Sequence, residues 1–453
     1  MKPIEEHREI LKKISDFAYA NAITEIGFDK IYKVHPKDWD ETFQNNFISK
    51  VHDGFKKAQK LVIDEILYYQ NLVREKKTEL KEYRRVKDTE NHERVEIELQ
   101  IINQRVSTFS HIMDGLAWQL LGGQIHIARR FHIGEDSSKF LDSSNIEHAI
   151  KVADNINESP LDFALISDLT NFIQIGDILV KKNNLVGTIE LKEGKVNQEI
   201  KNFFRELEKD NIPITDKALD DKFDAKKAKQ AKRMLRQDLR AERAVQVINS
   251  DKGIDPATEK PITVYTPTMK TVGYQQEFVK LSKALQSKSW AYVVLENCLH
   301  IGMYKEEGIA AIPAIEEILK AQKSNFIVID WISITHNLSE PIFVKPLPPD
   351  FIIDILTGRV KVIIGLDFDN LIELFNEIGI ETRWLSTKQT AKLKQKSNNT
   401  GMRIVNNRAI SMKVPNLKET EIIIGDGIIS KILYDNILPS NIAMTYLSVN
   451  EEE

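Results

Sequence analysis

Residues 174–195 read QIGDILVKKNNLVGTIELKEGK. Two short β-rich runs, 172–180 (FIQIGDILV) and 185–191 (LVGTIEL), flank Lys181, Lys182, Asn183 and Asn184, a pattern that predicts strand–turn–strand. Twelve residues separate Asp177 from Glu190. Paired as a hairpin, the two runs bring Asp177 to face Glu190, and the period of two turns Lys192 to the same face as Glu190. Adjacent carboxylates repel unless a cation sits between them. A hard divalent ion meets that need, because magnesium takes one or two carboxylates with waters and phosphate oxygens completing its shell. Such an ion polarises a phosphoryl group and acidifies a bound water. A lysine beside it orients that water or neutralises developing charge. The residue types therefore point to phosphodiester hydrolysis.

Downstream lies a concentration of positive charge. The segment 226–248 predicts a helix, and Lys229, Arg233, Arg236, Arg240 and Arg243 recur at four-three spacing, so they share one face. Lysine and arginine neutralise backbone phosphates without reading sequence. Lys195, where the preceding helix begins, is a further phosphate contact in this reading. The alternative for the row is a solvated helix face.

Upstream, Phe47, Val51, Phe55, Ala58, Val62, Ile66, Tyr69 and Val73 form one helical stripe within 38–86, and Val95, Leu99, Ile102, Val106, Phe109, Met113, Leu116 and Leu120 form another. A polar run between them turns in its second half, so the pair reads as a long antiparallel helical hairpin. Such a hairpin offers a surface to a partner or a second copy. Toward the C-terminus, strand-like runs appear at 290–296 and 300–305, then KVIIGL, EIIIG and MTYLSV. They alternate with helices at 369–378 and 428–436, while 386–402 reads as a polar loop. The expected fold is mixed α/β. A helical hairpin region spans 1–104, a core sheet flanked by helices 105–340, and an α/β module 341–453, with the proline-rich PIFVKPLPPD at the last boundary.

The composition narrows the chemistry. The chain has 453 residues, 42% of them hydrophobic and 29% charged, with a net charge of -4, which excludes a uniformly basic protein and wholesale disorder. Its single cysteine, Cys298, excludes a disulfide framework and a cysteine zinc cluster. No His-Glu-x-x-His occurs. No apolar run suits a secretory signal or a bilayer span, so a cytoplasmic location without membrane contact is expected. Asp367-Phe368-Asp369 reads as a helix cap, and Gly425-Asp426-Gly427 lacks the βαβ context of a dinucleotide turn.

The pattern Asp-x12-Glu-x-Lys resembles the PD-(D/E)xK superfamily of restriction-endonuclease-like nucleases, over roughly residues 105–300 and most sharply over 174–195. Gly176 stands where that superfamily often has proline. The resemblance implies a restriction-endonuclease-like core sheet. It makes Asp177, Glu190 and the Leu191 carbonyl ligands of Mg2+, for which Mn2+ can substitute, with Lys192 as the catalytic lysine. The superfamily often adds an acid from a preceding helix. Asp114 is the first choice here, with Asp162 and Asp168 as competitors. The implied activity is metal-dependent cleavage of nucleic acid, DNA before RNA, in restriction, repair or anti-phage defence. The rival expectation is a non-catalytic nucleic-acid-binding or scaffold protein on the same fold.

Overall fold

The computed structural model describes residues 1–123, 128, 131, 146–182, 185–191, 194–210, 212–256, 259–263, 271–305, 311–334, 340–396, 401–415 and 421–448. It is mixed α/β, with small antiparallel sheets among many helices. It divides into two compact units, residues 1–265 and 266–453.

The first unit opens with α1 (Ile4–Ile26) and the short α2 (Phe28–Tyr32), followed by the two long helices α3 (Glu41–Val86) and α4 (Thr89–Leu120). The expected stripes form the seam. Phe55, Ala58, Val62, Ile66, Tyr69 and Val73 are buried from α3, and Val95, Ile102, Phe109, Met113, Leu116 and Leu120 from α4. Helix α1, which sequence reading did not identify, packs on both through Leu11, Ile14, Ala18 and Ala22. The hairpin turn is tighter than expected and occupies only Lys87 and Asp88. Lys87 takes the left-handed conformation (φ 59°) that ends α3, and the Asp88 carboxylate accepts from the Asn91 N–H to cap α4. The polar run continues both helices up to this turn because glutamate, lysine and arginine are good helix formers.

After α5 (Ile146–Asn157) come β1 (Phe163–Ile166), β2 (Ile178–Lys182) and β3 (Leu185–Ile189), a three-stranded antiparallel meander in that order. The strand expected over 172–180 begins only at Ile178, and β1 lies outside the strands that the sequence predicts. Its FALI is buried at every position and shows no alternation, so a four-residue apolar run gave no period to detect. The outer edge of β1 is covered by an amide. Gln59 of α3 donates to the Ala164 carbonyl (3.0 Å) and accepts from the Ile166 N–H (3.0 Å), all buried. Replacing Gln59 by leucine strands the Ile166 N–H, and an unpaired buried backbone group costs about 1–3 kcal/mol. Urea unfolding of Gln59→Leu is expected to show a loss of that size.

The chain continues through α6 (Lys195–Lys209), α7 (Asp216–Lys222) and α8 (Ala225–Ser250) to the two-stranded β4 (Lys252–Ile254) and β5 (Pro261–Thr263). Helix α8 is the expected basic helix. Asp224 caps it by accepting from Lys226 and Lys227 N–H groups at 3.0 Å. Its first half buries Ala228, Ala231 and Met234 against Ile200 and Phe204 of α6 and Leu219 of α7. Its end is tied to β3, where Asn249 accepts from the Val186 N–H (3.2 Å) and donates to the Val186 carbonyl (2.9 Å).

The second unit holds α9 (Gln275–Ala284), β6 (Trp290–Leu295), β7 (Leu299–Lys305), α10 (Ala311–Ala321), β8 (Phe326–Asp330), α11 (Pro349–Leu356), β9 (Val360–Asp367) and α12 (Phe368–Ile378). Then follow β10 (Glu381–Trp384), α13 (Thr387–Lys396), β11 (Ile404–Val405), β12 (Arg408–Lys413), β13 (Glu421–Ile423), α14 (Asp426–Leu433) and α15 (Pro439–Leu447). Strand β9 lies between β7 and β8 in the sheet β6-β7-β9-β8. That pairing crosses residue 340, so the expected boundary there does not divide the structure. The boundary expected at 104 falls inside α4. Two further expectations are corrected. The 386–402 stretch contains helix α13 over Thr387–Lys396, and the MTYLSV run lies mostly in helix α15 rather than a strand. Pro439 at its first turn and the buried Ile442 and Ala443 account for that helix. Asp367 caps α12, accepting from the Asp369 (2.9 Å) and Asn370 (3.1 Å) N–H groups.

Candidate functional site

Strand pairing sets the position of the two acids. Ile178 pairs with Ile189 as the last registered pair of the antiparallel ladder, so Asp177 and Glu190 lie just beyond it at the same end of β2 and β3. The Asp177 N–H donates to the Ile189 carbonyl (2.8 Å), and the Leu191 N–H donates to an Asp177 carboxylate oxygen (2.5 Å). Gly176 makes this approach possible. It has φ 79°, and a Cβ there would lie 2.7 Å from Thr188 Cβ, so a side chain would push the strands apart just before Asp177.

The turn after β1 supplies a third acid. Ser167 donates its N–H to the Asp177 carbonyl (2.9 Å), which places the adjacent Asp168 beside the strand pair. Asp168 is solvent-exposed yet partly desolvated by the protein around it. Desolvation, followed by the negative charge of Glu190, raises its carboxyl above the ordinary range.

Asp168, Asp177 and Glu190 line one cleft of about 410 Å³ together with Ile173, Gln174, Ile175, Gly176, Arg233, Arg236, Gln237 and Arg240. Three of the five residues in the basic row thus reach the same cavity as the acids. The anchoring of α8 on α6, α7 and β3 puts them there, and they stay exposed. Arg243 instead pairs with Glu259 at 2.9 Å. Lys229 and Lys195 are exposed outside the cleft lining. Lys192 lies outside the described residues. Lys201 of α6, which sequence reading did not single out, donates to the Glu190 carbonyl (3.2 Å) and fixes the end of β3.

Asp114 has a different place from the one expected. It is buried, and its two carboxylate oxygens accept from the Asn171 backbone N–H and side-chain amide, both at 2.6 Å. It thereby holds the loop that leads from Asp168 toward Asp177, and it is not among the cleft-lining residues. Its partner lies 57 residues away, which no local pattern reveals. Asp162 is also buried, and its charge acts on His52 and Lys56. Of the three acids weighed for the extra position, Asp168 is the one that lines the cleft.

Among the described residues, no group of three or more His, Cys, Asp or Glu side chains has the arrangement of a metal centre. A pair of carboxylates is nonetheless the donor set magnesium commonly uses. By donor chemistry alone, Asp177 and Glu190 in one cleft suit a hard divalent ion whose remaining positions are filled by water and phosphate oxygens. No helix among the described residues is long and apolar enough to cross a membrane. Comparison with protein-family models, curated proteins and solved structures found no match to this chain.

Proposed function

We propose that this protein is a metal-dependent nuclease that hydrolyses phosphodiester bonds of nucleic acid, DNA in preference to RNA. One observation carries the reading. The acids Asp177, Glu190 and Asp168 share a single cleft with Arg233, Arg236 and Arg240. A site for phosphate hydrolysis needs both groups, acids to hold a hard cation and guanidinium groups to take the phosphate charge.

Asp177 and Glu190 would hold magnesium or manganese, with Asp168 as the additional acid in place of Asp114. When bound, such an ion supplies Lewis-acid polarisation of a phosphoryl oxygen and a more acidic water. Arg233, Arg236 and Arg240 bind and orient the backbone and neutralise its charge. Lys201 keeps the end of β3 in register. Lys192 takes the role of catalytic lysine by resemblance to the PD-(D/E)xK nucleases, and that resemblance also implies restriction, repair or anti-phage defence as the setting.

The second reading, a nucleic-acid-binding or scaffold protein without catalysis, draws on the lack of a three-ligand cluster among the described residues. Plasmid and linear DNA incubated with magnesium or manganese, and then with chelator, separate the two. Metal-dependent cutting lost in Lys192→Ala is the expected result. A folded protein that binds DNA with a steep salt dependence but cuts under neither metal would establish the second reading instead.

A further inference from the structure

The form of DNA that suits the cleft follows from its size and lining, granted the nuclease reading above. The cleft, about 410 Å³, is of the size that encloses one small ligand. Its wall combines the 173–177 loop, Asp168 and Glu190 with one face of α8. A phosphodiester seated among these groups is surrounded by protein from more than one element. In a duplex, each phosphate has its inner side covered by its own sugar and stacked bases, and the chain on either side is held to the helical path. An unpaired strand has neither constraint and can bend into the cavity.

The arginine row fits such a strand. Arg233 to Arg240 spans seven residues, or about 10 Å of helix axis at 1.5 Å per residue, enough to follow successive phosphates along one chain. Ile173 and Ile175 are the apolar side chains of the described lining, and no aromatic ring is present in it to stack a base. Recognition through this lining is therefore by phosphate rather than by base. We propose that the cleft takes an unpaired DNA strand, as a free tail, flap or gap, held through consecutive phosphates by Arg233, Arg236 and Arg240 without regard to base sequence.

The test uses the full-length Glu190→Gln protein, so that binding is read without cutting. Its substrates are fluorescent oligonucleotides of equal length: an all-thymidine strand, a mixed strand without self-pairing, a blunt duplex and an RNA strand. Wild-type protein with magnesium is also given a duplex bearing a single-stranded tail. The expected result is at least about tenfold tighter binding of both DNA strands than of the duplex, equal affinity for the two strands, and removal of the tail with cutting halted at the junction. Neutralising three phosphates gives a log–log salt slope near -2 for a single strand, and Arg236→Gln should reduce it by about 0.7.

Equal or tighter duplex binding, with the wild type still cutting duplex under magnesium, would overturn the unpaired-strand proposal while leaving the nuclease reading intact. Preference for the RNA strand would overturn it for DNA, and a large difference between the two DNA strands would overturn its indifference to base. If no nucleic acid were bound or cut under any metal, the proposal and the nuclease reading would fall together.

Discussion

Glu190→Gln and Asp177→Asn should each lower the rate of magnesium-dependent DNA cutting on the order of 10²–10³-fold, the loss typical when one charge-stabilising group is removed from a reacting centre. Both replacements keep the shape of the side chain and remove its charge. Asp177→Asn also weakens the bond from the Leu191 N–H, so it should cost some stability as well, whereas Glu190→Gln should leave the unfolding midpoint nearly unchanged. Glu190→Gln has a second consequence that does not depend on activity. The Glu190 charge is one cause of the raised Asp168 carboxyl, after desolvation. Its removal should let Asp168 ionise at a lower pH, visible in an NMR titration of labelled aspartate. Wild-type cutting rates in either variant would remove the proposed catalytic role of that acid.

The second large effect concerns stability in acid. His7 and His52 are nearly inaccessible to solvent, and each is held neutral down to about pH 4. For His7 the causes are desolvation and then the charges of Arg105 and Lys2. For His52 they are desolvation and then Lys56, opposed by a backbone hydrogen bond at Leu161 and by Asp162. Their Nδ1 atoms have no hydrogen-bond partner among the described residues, so a proton there would be buried and unpaired. In the unfolded chain both rings take a proton near pH 6.5. Between pH 6.5 and about 4 the unfolded state therefore binds more protons, and stability falls as the pH falls. The loss approaches roughly 3 kcal/mol for each histidine by pH 4. Asp168 acts in the opposite direction, because its raised carboxyl is protonated first in the native state. Urea unfolding at a series of pH values should show the decline, and His52→Phe should flatten part of it. Wild type and His52→Phe declining equally from pH 7 to 4 would mean that the His52 ring is not kept neutral in the native protein.

The parts of this molecule that can be read from sequence are those whose signal is periodic. The stripes from Phe47 to Val73 and from Val95 to Leu120 announce α3 and α4, because a helix must repeat its buried face every three to four residues. Strand alternation made the hairpin legible, and its last registered pair, Ile178 with Ile189, leaves Asp177 and Glu190 together just beyond the ladder at its open end. The four-three spacing of arginines placed Arg233, Arg236 and Arg240 on one face, and that face lines the cleft. What was not legible depends on distant partners. Asp114 looks like an available acid until Asn171 is known to hold both its oxygens. Asp168 enters the cleft because Ser167 bonds to Asp177 across the sheet. The expected boundary at 340 fails because β9 inserts between strands that precede the proline-rich segment, and no local composition encodes that insertion.

Two amides, Gln59 on α3 and Asn249 on α8, close the outer margins of the small β-meander. A three-stranded sheet with bare margins would invite further strands and aggregation, and here both margins are answered by helices. The Asn249 clasp has a dynamic consequence. Helix α8 cannot swing outward at this end without unfastening from Val186, so the backbone that carries the arginines is anchored while their exposed side chains keep their rotamer freedom. Placing the helix is then settled during folding, and the entropy left to lose when a polyanion docks is that of the arginine side chains themselves.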